Sequence, residues 1–134
     1  MFPEELLPAP TKISRPFWEG CHAGELRLQQ CDACATYVFY PSYCCTACGH
    51  RHLTWRALSG RGRIHSVTQV HRPSHPALGE AGPYALALIE LEEGPIMMSN
   101  VVGAPPEAVV IGRAVSVDFR QVAAELSLPV FRLD

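Results

Sequence analysis

Apolar and polar residues alternate with a period of two over most of the chain beyond residue 53, a pattern typical of strands half buried in a sheet. The alternating segments are residues 53–58, 63–72, 84–92, 96–102 and 113–120, and glycines and prolines separate them. In the last segment Val115, Val117 and Phe119 share one face, so that face is expected in the core and the opposite face in water. The pattern predicts a β domain of about five strands.

Residues 84–91 read YALALIEL and are apolar on both faces. Such a strand is expected to be covered by the core on one side and by a helix or a partner on the other. Five short antiparallel strands with one longer excursion, residues 74–83, fit a small closed barrel of the oligonucleotide/oligosaccharide-binding (OB) type. An open sandwich is the alternative, because the number of strands alone does not establish closure.

The N-terminal part of the chain follows a different pattern. Residues 1–13 contain three prolines and no sustained period, which predicts an extended arm. Residues 14–24 predict a short helix, because Ser14 is a suitable N-cap, a proline follows in the first turn and Phe17 lies four residues before Cys21. The segment ELRLQQC then alternates as a strand and leads directly into Cys31.

Two matched pairs of cysteines are the strongest chemical signal in the chain. Cys31 and Cys34 are separated by two residues, Cys45 and Cys48 likewise, and ten residues lie between the pairs. Each pair can form a turn that directs two sulfurs at one point, so the four thiolates predict a tetrahedral zinc ribbon. Four protein ligands leave no open position for water. The Zn²⁺ is therefore expected to be structural and not catalytic.

Other cysteines and histidines near these pairs are expected to lie outside the metal site. His50 and His52 are possible substitute ligands, but four cysteines already suffice. Cys21 and Cys44 have no Cys-His signature around them, so buried or incidental thiols are the favoured interpretation. The aromatic residues between the pairs, Tyr37, Phe39, Tyr40 and Tyr43, are expected to cover the metal site and supply core to the ribbon rather than to stack on bases.

Composition restricts the class of protein. The chain has 134 residues, of which 48% are hydrophobic and 18% charged, and these values fit one packed domain. No apolar run is long enough to cross a bilayer, and acids and prolines stand at the N-terminus where a signal peptide has basic residues. We therefore expect a cytoplasmic protein with no membrane partner. In a reducing compartment, paired cysteines favour metal over disulfides.

Arginines around a glycine-rich turn form a candidate anion site. In the segment SGRGR, Arg61 and Arg63 flank glycines that let a backbone approach a ligand. They are candidates for binding a coenzyme A (CoA) phosphate, although a tight hairpin with two solvated arginines is the favoured alternative. His65 and His71 are expected on one side of the following strand, without an acidic partner. No catalytic residue is predicted.

The order of these parts resembles one known family. The matching pieces are PFWEG, the cysteine pairs in CDAC and CTACG, LTWRALSGRGRIHSVTQVHR, PYALALIELEEG and IGRAVSVDF, which together span about residues 14–131. This order is similar to the acyl-CoA-associated OB-fold family known as "domain of unknown function thirty-five", in which a rubredoxin-like zinc ribbon precedes an OB barrel. The fold predicted on both grounds is mainly β: arm 1–13, docking helix 14–24, zinc ribbon 25–56 and five-stranded OB-type barrel 57–134.

The resemblance implies an accessory subunit without catalytic residues of its own. Its implied partner is a thiolase-fold catalytic subunit, or a hydratase or aldolase in steroid side-chain degradation, within a heterotetramer or larger complex that acts on acyl-CoA thioesters. Retro-aldol release, thiolysis and acyl transfer are the implied reactions, and a CoA thioester is expected at or near the partner interface. The metal-ligand role carries over to Cys31, Cys34, Cys45 and Cys48.

Exposed apolar surface is the remaining functional signal. Phe17 and Trp18 on the short helix are candidates for docking to the partner, although the helix of a monomer can instead fold over its own barrel.

Two further functions compete with the accessory subunit. Single-stranded nucleic-acid binding is one, because OB barrels and zinc ribbons both serve it, but the formal net charge of −2 disfavours it and no nucleic-acid partner is expected. Electron transfer through iron held by the four thiolates is the other.

Overall fold

The first described element is a short helix whose ends follow from local sequence. A computed structural model describes residues 6–72 and 83–134, and in it helix α1 spans Arg15–Ala23. Gly24 ends the helix in the left-handed region at φ 83°, where glycine carries no Cβ penalty. Ser14 flanks the first turn as predicted but makes no capping bond. Its Oγ instead accepts a hydrogen bond of 2.8 Å from the backbone N–H of Thr11.

Three short strands form the ribbon sheet in the order β2-β1-β3, all antiparallel. They are β1 Arg27–Cys31, β2 Tyr37–Val38 and β3 Leu53–Ala57. Strand β1 pairs along its whole length with β3, from Arg27 opposite Ala57 to Cys31 opposite Leu53. The central strand therefore carries the first metal-ligand candidate at its end, with a strand on either side to fix its position.

The other five strands close into a barrel in the order β4-β5-β6-β8-β7. They are β4 Arg61–Val70, β5 Tyr84–Leu91, β6 Ile96–Val102, β7 Ala114–Ala123 and β8 Leu126–Leu133. All neighbours are antiparallel except β6 and β8, which are parallel and pair only at two positions, Val101 with Phe131 and Val102 with Arg132. The closed OB-type barrel is confirmed, and the open sandwich is wrong.

One of the five strands differs from the sequence prediction. The segment predicted at residues 53–58 forms β3, Leu53–Ala57, in the ribbon sheet and not a strand of the barrel. The barrel's fifth strand is instead β8, which the period-two pattern did not reveal because Pro129 lies within it, opposite Phe119 of β7. Proline is tolerated here because β8 pairs with β6 only from Phe131 onwards, so position 129 has no β6 partner that needs a backbone N–H. The longer excursion predicted at residues 74–83 lies outside the described residues, apart from Pro83.

The helix, the ribbon sheet and the barrel share one hydrophobic core. Phe17 and Cys21 of α1 pack in the same cluster as Leu26 and Leu28 of the ribbon region and the buried barrel side chains. The barrel contributes Ile64, Ala85, Ala87, Ile89, Leu91, Met97, Val101, Val109, Val115 and Phe131. Val117 and Phe119 pack against this cluster, which confirms the face predicted for β7.

Helix α1 therefore turns its apolar side inwards. Phe17 is only 4% exposed, so nearly all of its ring is buried in the chain's own core. Trp18 is half-buried, with its ring 4.9 Å from that of Phe17 in an edge-to-face arrangement. Of the two residues predicted for docking, Trp18 is the one with accessible surface.

Candidate functional site: a four-cysteine metal centre

The four predicted cysteines meet at one point in the ribbon. The sulfurs of Cys31, Cys34, Cys45 and Cys48 all lie within 4.8 Å of one another. The distance from Cys31 Sγ to Cys48 Sγ is 3.6 Å, and that from Cys34 Sγ to Cys45 Sγ is also 3.6 Å. Four zinc–sulfur bonds of about 2.3 Å in a tetrahedron place the sulfurs about 3.8 Å apart. The arrangement fits a closed, four-coordinate zinc site.

Two turns of the same shape hold these sulfurs. The backbone N–H of Ala35 donates to the carbonyl of Cys31 at 2.9 Å, and that of Gly49 donates to the carbonyl of Cys45 at 2.9 Å. Ala35 and Gly49 both have a positive φ, of 63° and 80°. Gly49 adopts this conformation readily because it lacks a Cβ. The repeated geometry explains why the residue after each pair is small.

Electrostatics at the cluster favour a cation. The hydroxyl of Thr36 lies 3.2 Å from Cys34 Sγ and lowers the pKa of this thiol to about 6. The backbone N–H of His50 lowers the pKa of Cys48, but the sulfurs of Cys31 and Cys34 raise it, and the resulting value is about 12. Four adjacent thiolates therefore repel one another, and a bound Zn²⁺ would supply the opposite charge that lets all four ionise.

The apolar cover of the centre comes from aliphatic residues rather than from the predicted aromatics. Val38 packs with the buried sulfurs of Cys31 and Cys45, and Leu53 packs against this small cluster. Tyr37 and Phe39 pack against the main core instead, while Tyr40 and Tyr43 are 66% and 77% exposed. Tyr37 and Phe39 therefore supply core as expected, but to the main core rather than to the small cluster beside the sulfurs.

Comparison with known proteins agrees with this geometry in both halves of the chain. The model of the ChsH2 rubredoxin-like zinc ribbon domain matches residues 18–53, and that of the ChsH2 C-terminal OB-fold domain matches residues 55–120. A DUF35 domain-containing scaffold protein of Methanothermobacter thermautotrophicus is 36% identical over 98 residues, which cover 72% of each chain. The chain belongs to the DUF35 family. The resemblance found in the sequence is thereby confirmed.

Two further relatives of this DUF35 chain are named as parts of enzymes. A probable enoyl-CoA hydratase alpha subunit of Thermomonospora curvata is 38% identical over 133 residues. That match covers 97% of this chain but 41% of the relative, so the chain spans less than half of that protein. A solved Ltp2-ChsH2(DUF35) aldolase contains a chain that is 35% identical, with a TM-score of 0.83 over 95% of this chain and 98% of that one.

The arginines of the DUF35 chain that were predicted to bind an anion lie among carboxylates. Arg61 Nε is 3.2 Å from Glu92 Oε2, and Arg63 Nη1 donates to the carbonyl of Gly112 at 3.2 Å. Glu90, Glu92 and Asp134 line the same groove as the two arginines. Two guanidinium groups therefore face three carboxylates, and the local charge does not favour a phosphate.

The glycines of this turn serve barrel packing. A Cβ on Gly62 would lie 2.6 Å from the carbonyl oxygen of Glu90 and 2.8 Å from Ile89 Cγ2 on the neighbouring strand. A Cβ on Gly60, whose φ is 78°, would collide with the side chain of Val117. At both glycines the missing Cβ leaves room for atoms of neighbouring barrel strands.

The remaining candidates in the DUF35 chain are two histidines and two cysteines. A bulge between Ile64 and Ser66 interrupts β4, and His71 lies beyond its end, so the two histidines do not share a continuous strand face as predicted. His65 Nδ1 lies 3.8 Å from the exposed carboxylate of Glu90. Burial raises the pKa of the Cys21 thiol to about 12. Cys44 is exposed and stands outside the four-sulfur cluster.

No helix among the described residues is long and apolar enough to cross a membrane.

Proposed function

We propose that this chain is a non-catalytic, zinc-containing accessory subunit of a thiolase-fold enzyme complex that acts on acyl-CoA thioesters. The observation that carries the proposal is its similarity over nearly its whole length to a chain of a solved Ltp2-ChsH2(DUF35) aldolase, at 35% identity. The name of the Thermomonospora curvata relative, an enoyl-CoA hydratase alpha subunit, supports a CoA thioester as the substrate class. Carbon–carbon bond cleavage or formation follows from the aldolase; hydratase chemistry is the alternative that the other relative suggests.

The metal centre supports a structural role for this chain within such a complex. All four coordination positions of a tetrahedral Zn²⁺ would be filled by cysteines, so no position remains for a water or a substrate oxygen. Within residues 6–72 and 83–134, the histidine that contacts a carboxylate, His65, does so at 3.8 Å on an exposed strand. The catalytic groups are therefore assigned to the partner. The cytoplasm is the proposed location, because thiolate ligands need a reducing compartment.

Reconstitution with the catalytic partner tests the proposal. The thiolase-fold protein that copurifies with this chain from its native source would be prepared separately and assayed on a CoA thioester with and without the zinc-loaded chain. The chain is expected to form a heterotetramer or larger complex and to be required for full activity. Turnover of a thioester by the chain alone, or an unchanged partner activity with no complex, would contradict the proposal.

Binding of single-stranded nucleic acid stays the alternative prediction. Tyr40 and Tyr43 are exposed enough to stack on bases, but the formal net charge of −2 provides no overall attraction for a phosphate backbone. A labelled oligonucleotide is expected to remain unbound at low salt. Salt-dependent retardation at moderate protein concentration would favour the alternative.

A further inference from the structure

The parallel strands β6 and β8 separate from each other and leave a groove in the barrel wall. The two strands pair only at Val101 with Phe131 and at Val102 with Arg132, so the residues before these positions face across a gap. Met97 to Asn100 on one side and Leu128 to Val130 on the other line this groove. Ser99 Oγ bridges the gap by donating to the carbonyl of Pro129 at 2.9 Å. We call it the strand-gap groove.

Aromatic rings from two other parts of the chain form the wall of the strand-gap groove. Phe17 and Trp18 of α1 meet Phe39 and Tyr40 of the ribbon in a continuous series. Their ring centroids are 4.9 Å apart for Phe17 and Trp18, 5.7 Å for Phe17 and Phe39, and 4.3 Å for Phe39 and Tyr40. Helix, ribbon and barrel thus each supply one side, and the groove exists only when all three are packed together.

The size and charge of the strand-gap groove select a class of ligand. Its volume is about 600 Å³, and none of the side chains that line it is charged. Small-molecule sites are typically clefts of roughly 300–1,000 Å³ with apolar walls and a few polar groups. A CoA nucleotide carries phosphates, which would lose hydration here without gaining a cationic partner. The groove therefore suits the uncharged, hydrocarbon part of a ligand.

A polar side chain that lines the groove, Asn100, can orient such a ligand. Asn100 Nδ2 donates to the carbonyl of Ala85 at 3.1 Å, which fixes the amide and leaves its oxygen and second N–H for another partner. Methionines beside it are adaptable in shape: Met97 is 2% exposed, whereas Met98 is 53% exposed. Rigid aromatic rings and the exposed, flexible thioether of Met98 fit a bulky apolar body with one neutral polar atom.

We infer that the strand-gap groove binds the hydrocarbon body of an acyl group, as a linear chain or a fused ring system, while the CoA nucleotide remains outside it. The identity of the ligand as an acyl thioester rests on the function proposed above; the preference for a neutral apolar body rests on the groove alone. Binding is a property of this chain and can be measured without any partner.

Methyl NMR of the zinc-loaded full chain tests this inference. The chain has three methionines, and those at 97 and 98 would be labelled on their methyl carbons and assigned by Met→Leu substitution. Progesterone and dodecan-1-ol serve as neutral probes of the ring and the chain. Saturable shifts of the Met97 and Met98 signals are expected with at least one probe, and the tighter probe identifies the ring or the chain as the preferred shape. Free CoA is expected to cause no shift.

A charge placed in the groove supplies the matched comparison. Because Met98 is largely exposed, Met98→Arg is expected to fold, yet its guanidinium would lose hydration next to an apolar ligand and weaken probe binding by at least about tenfold. Ile111→Arg introduces the same charge at a site that is 69% exposed and does not line the groove. That variant is expected to bind like the parent.

Three results would overturn the inference. One is no saturable shift with either neutral probe, and another is equal binding by the Met98→Arg and Ile111→Arg variants. The third combines two observations: the parent binds neither probe, and Met98→Arg no longer binds the catalytic partner. That result would make the groove a protein interface. Each leaves the accessory-subunit proposal intact, because complex formation and partner activity are measured separately.

Discussion

At the scale of single residues, the metal centre offers an internal comparison between adjacent cysteines. Cys45 is 2% exposed and belongs to the four-sulfur cluster, whereas Cys44 is exposed and lies outside it. The backbone N–H of Ala47 donates to Cys45 Sγ at 3.3 Å, a contact that stabilises a thiolate. Two neighbouring cysteines thus have different roles, and replacing each by serine in turn distinguishes the metal ligand from the other thiol.

Cys45→Ser is expected to abolish stoichiometric metal binding and to unfold the ribbon at ordinary temperature. A hydroxyl is a poor substitute for a thiolate, and structural zinc contributes roughly 10–16 kcal/mol of apparent binding free energy in zinc-finger peptides. Elemental analysis and the thermal midpoint measure the effect. Cys44→Ser is the control and is expected to retain one zinc per chain with an unchanged midpoint.

The same measurement decides between zinc and iron. The parent is expected to be colourless and to contain zinc, as in the rubredoxin-like zinc ribbon domain that matches residues 18–53. Stoichiometric iron with visible absorbance would contradict the structural role and favour electron transfer. Retention of metal by Cys45→Ser would contradict the ligand assignment itself.

An exposed ion pair on the barrel gives a prediction about pH. Arg132 Nε lies 2.6 Å from Asp118 Oδ2, and with the backbone N–H of Phe119 it holds the pKa of Asp118 below the ordinary value. A carboxyl whose pKa is depressed on folding contributes stability above its unfolded pKa, and loses it as pH falls through the folded pKa. In Arg132→Gln the pKa of Asp118 is expected to rise, as measured by its carboxyl carbon shift during acid titration.

Arg113→Gln is the control for this titration, because Arg113 is exposed and forms no ion pair within the described part of the chain. In this variant the titration curve of the Asp118 carboxyl carbon is expected to match that of the parent. A rise of equal size in both variants would mean that general surface charge, and not the Arg132 contact, lowers the pKa.

At the scale of elements, the turn into β4 is fixed by close packing against β7. Gly60 is buried and has a φ of 78°. Its carbonyl accepts a hydrogen bond of 2.8 Å from the backbone N–H of Val117. Any side chain here would meet both an unfavourable backbone conformation and the side chain of Val117. The turn therefore sets how closely the ribbon's exit strand approaches the barrel.

Gly60→Ala is expected to lower the free energy of unfolding more than Gly24→Ala. The two positions have similar positive φ values, 78° and 83°, but nothing lies within 4 Å of a Cβ at Gly24, so that variant incurs backbone strain alone, about 1–2 kcal/mol. Gly60→Ala adds overpacking of about 1–3 kcal/mol. Urea unfolding measures the free energy of unfolding of both variants. In a double-mutant cycle, Val117→Ala should reduce the extra loss caused by Gly60→Ala by at least about 0.5 kcal/mol. Equal losses at the two glycines would contradict this account.

Element prediction from the sequence succeeded where one local rule acted alone. The helix follows from a proline in its first turn and the four-residue spacing of Phe17 and Cys21, the cysteine turns from ligand spacing, and β7 from alternation. Strand β8 was missed because Pro129 interrupts its signal and only the tertiary arrangement with β6 makes that proline acceptable. The bulge at His65 likewise depends on pairing with β5, which no local pattern reveals.

The candidate site divides in the same way. Four cysteines at the spacing of two facing turns specify one metal geometry, so their assembly was predictable from sequence. The strand-gap groove was not, because it arises where helix, ribbon and barrel meet and has no motif of its own. Arginines beside glycines suggested an anion site, and only the fold placed Glu90 and Asp134 next to them.

At the scale of the whole molecule, the ribbon and the barrel are joined through one shared hydrophobic core. Leu26 and Leu28, in the ribbon region, are 1% and 0% exposed and lie in the same core cluster as Ile64 and Phe131 of the barrel. The backbone N–H of Leu58 also donates to the carbonyl of Leu26 at 2.8 Å. Loss of order in the ribbon would therefore uncover apolar barrel surface.

Removal of zinc is consequently expected to destabilise the barrel as well as the ribbon. The free energy that structural zinc contributes, roughly 10–16 kcal/mol in peptides, equals or exceeds the total stability of about 5–15 kcal/mol typical of a domain. Calorimetry of the zinc-loaded chain should give one transition, and chelation should abolish it or lower its midpoint as a whole. Circular dichroism should show the loss of strand signal from the barrel together with that of the ribbon. If instead the chelated chain keeps a barrel transition at the parent's midpoint, the zinc organises the ribbon alone, and the shared core contributes little to holding the two parts together.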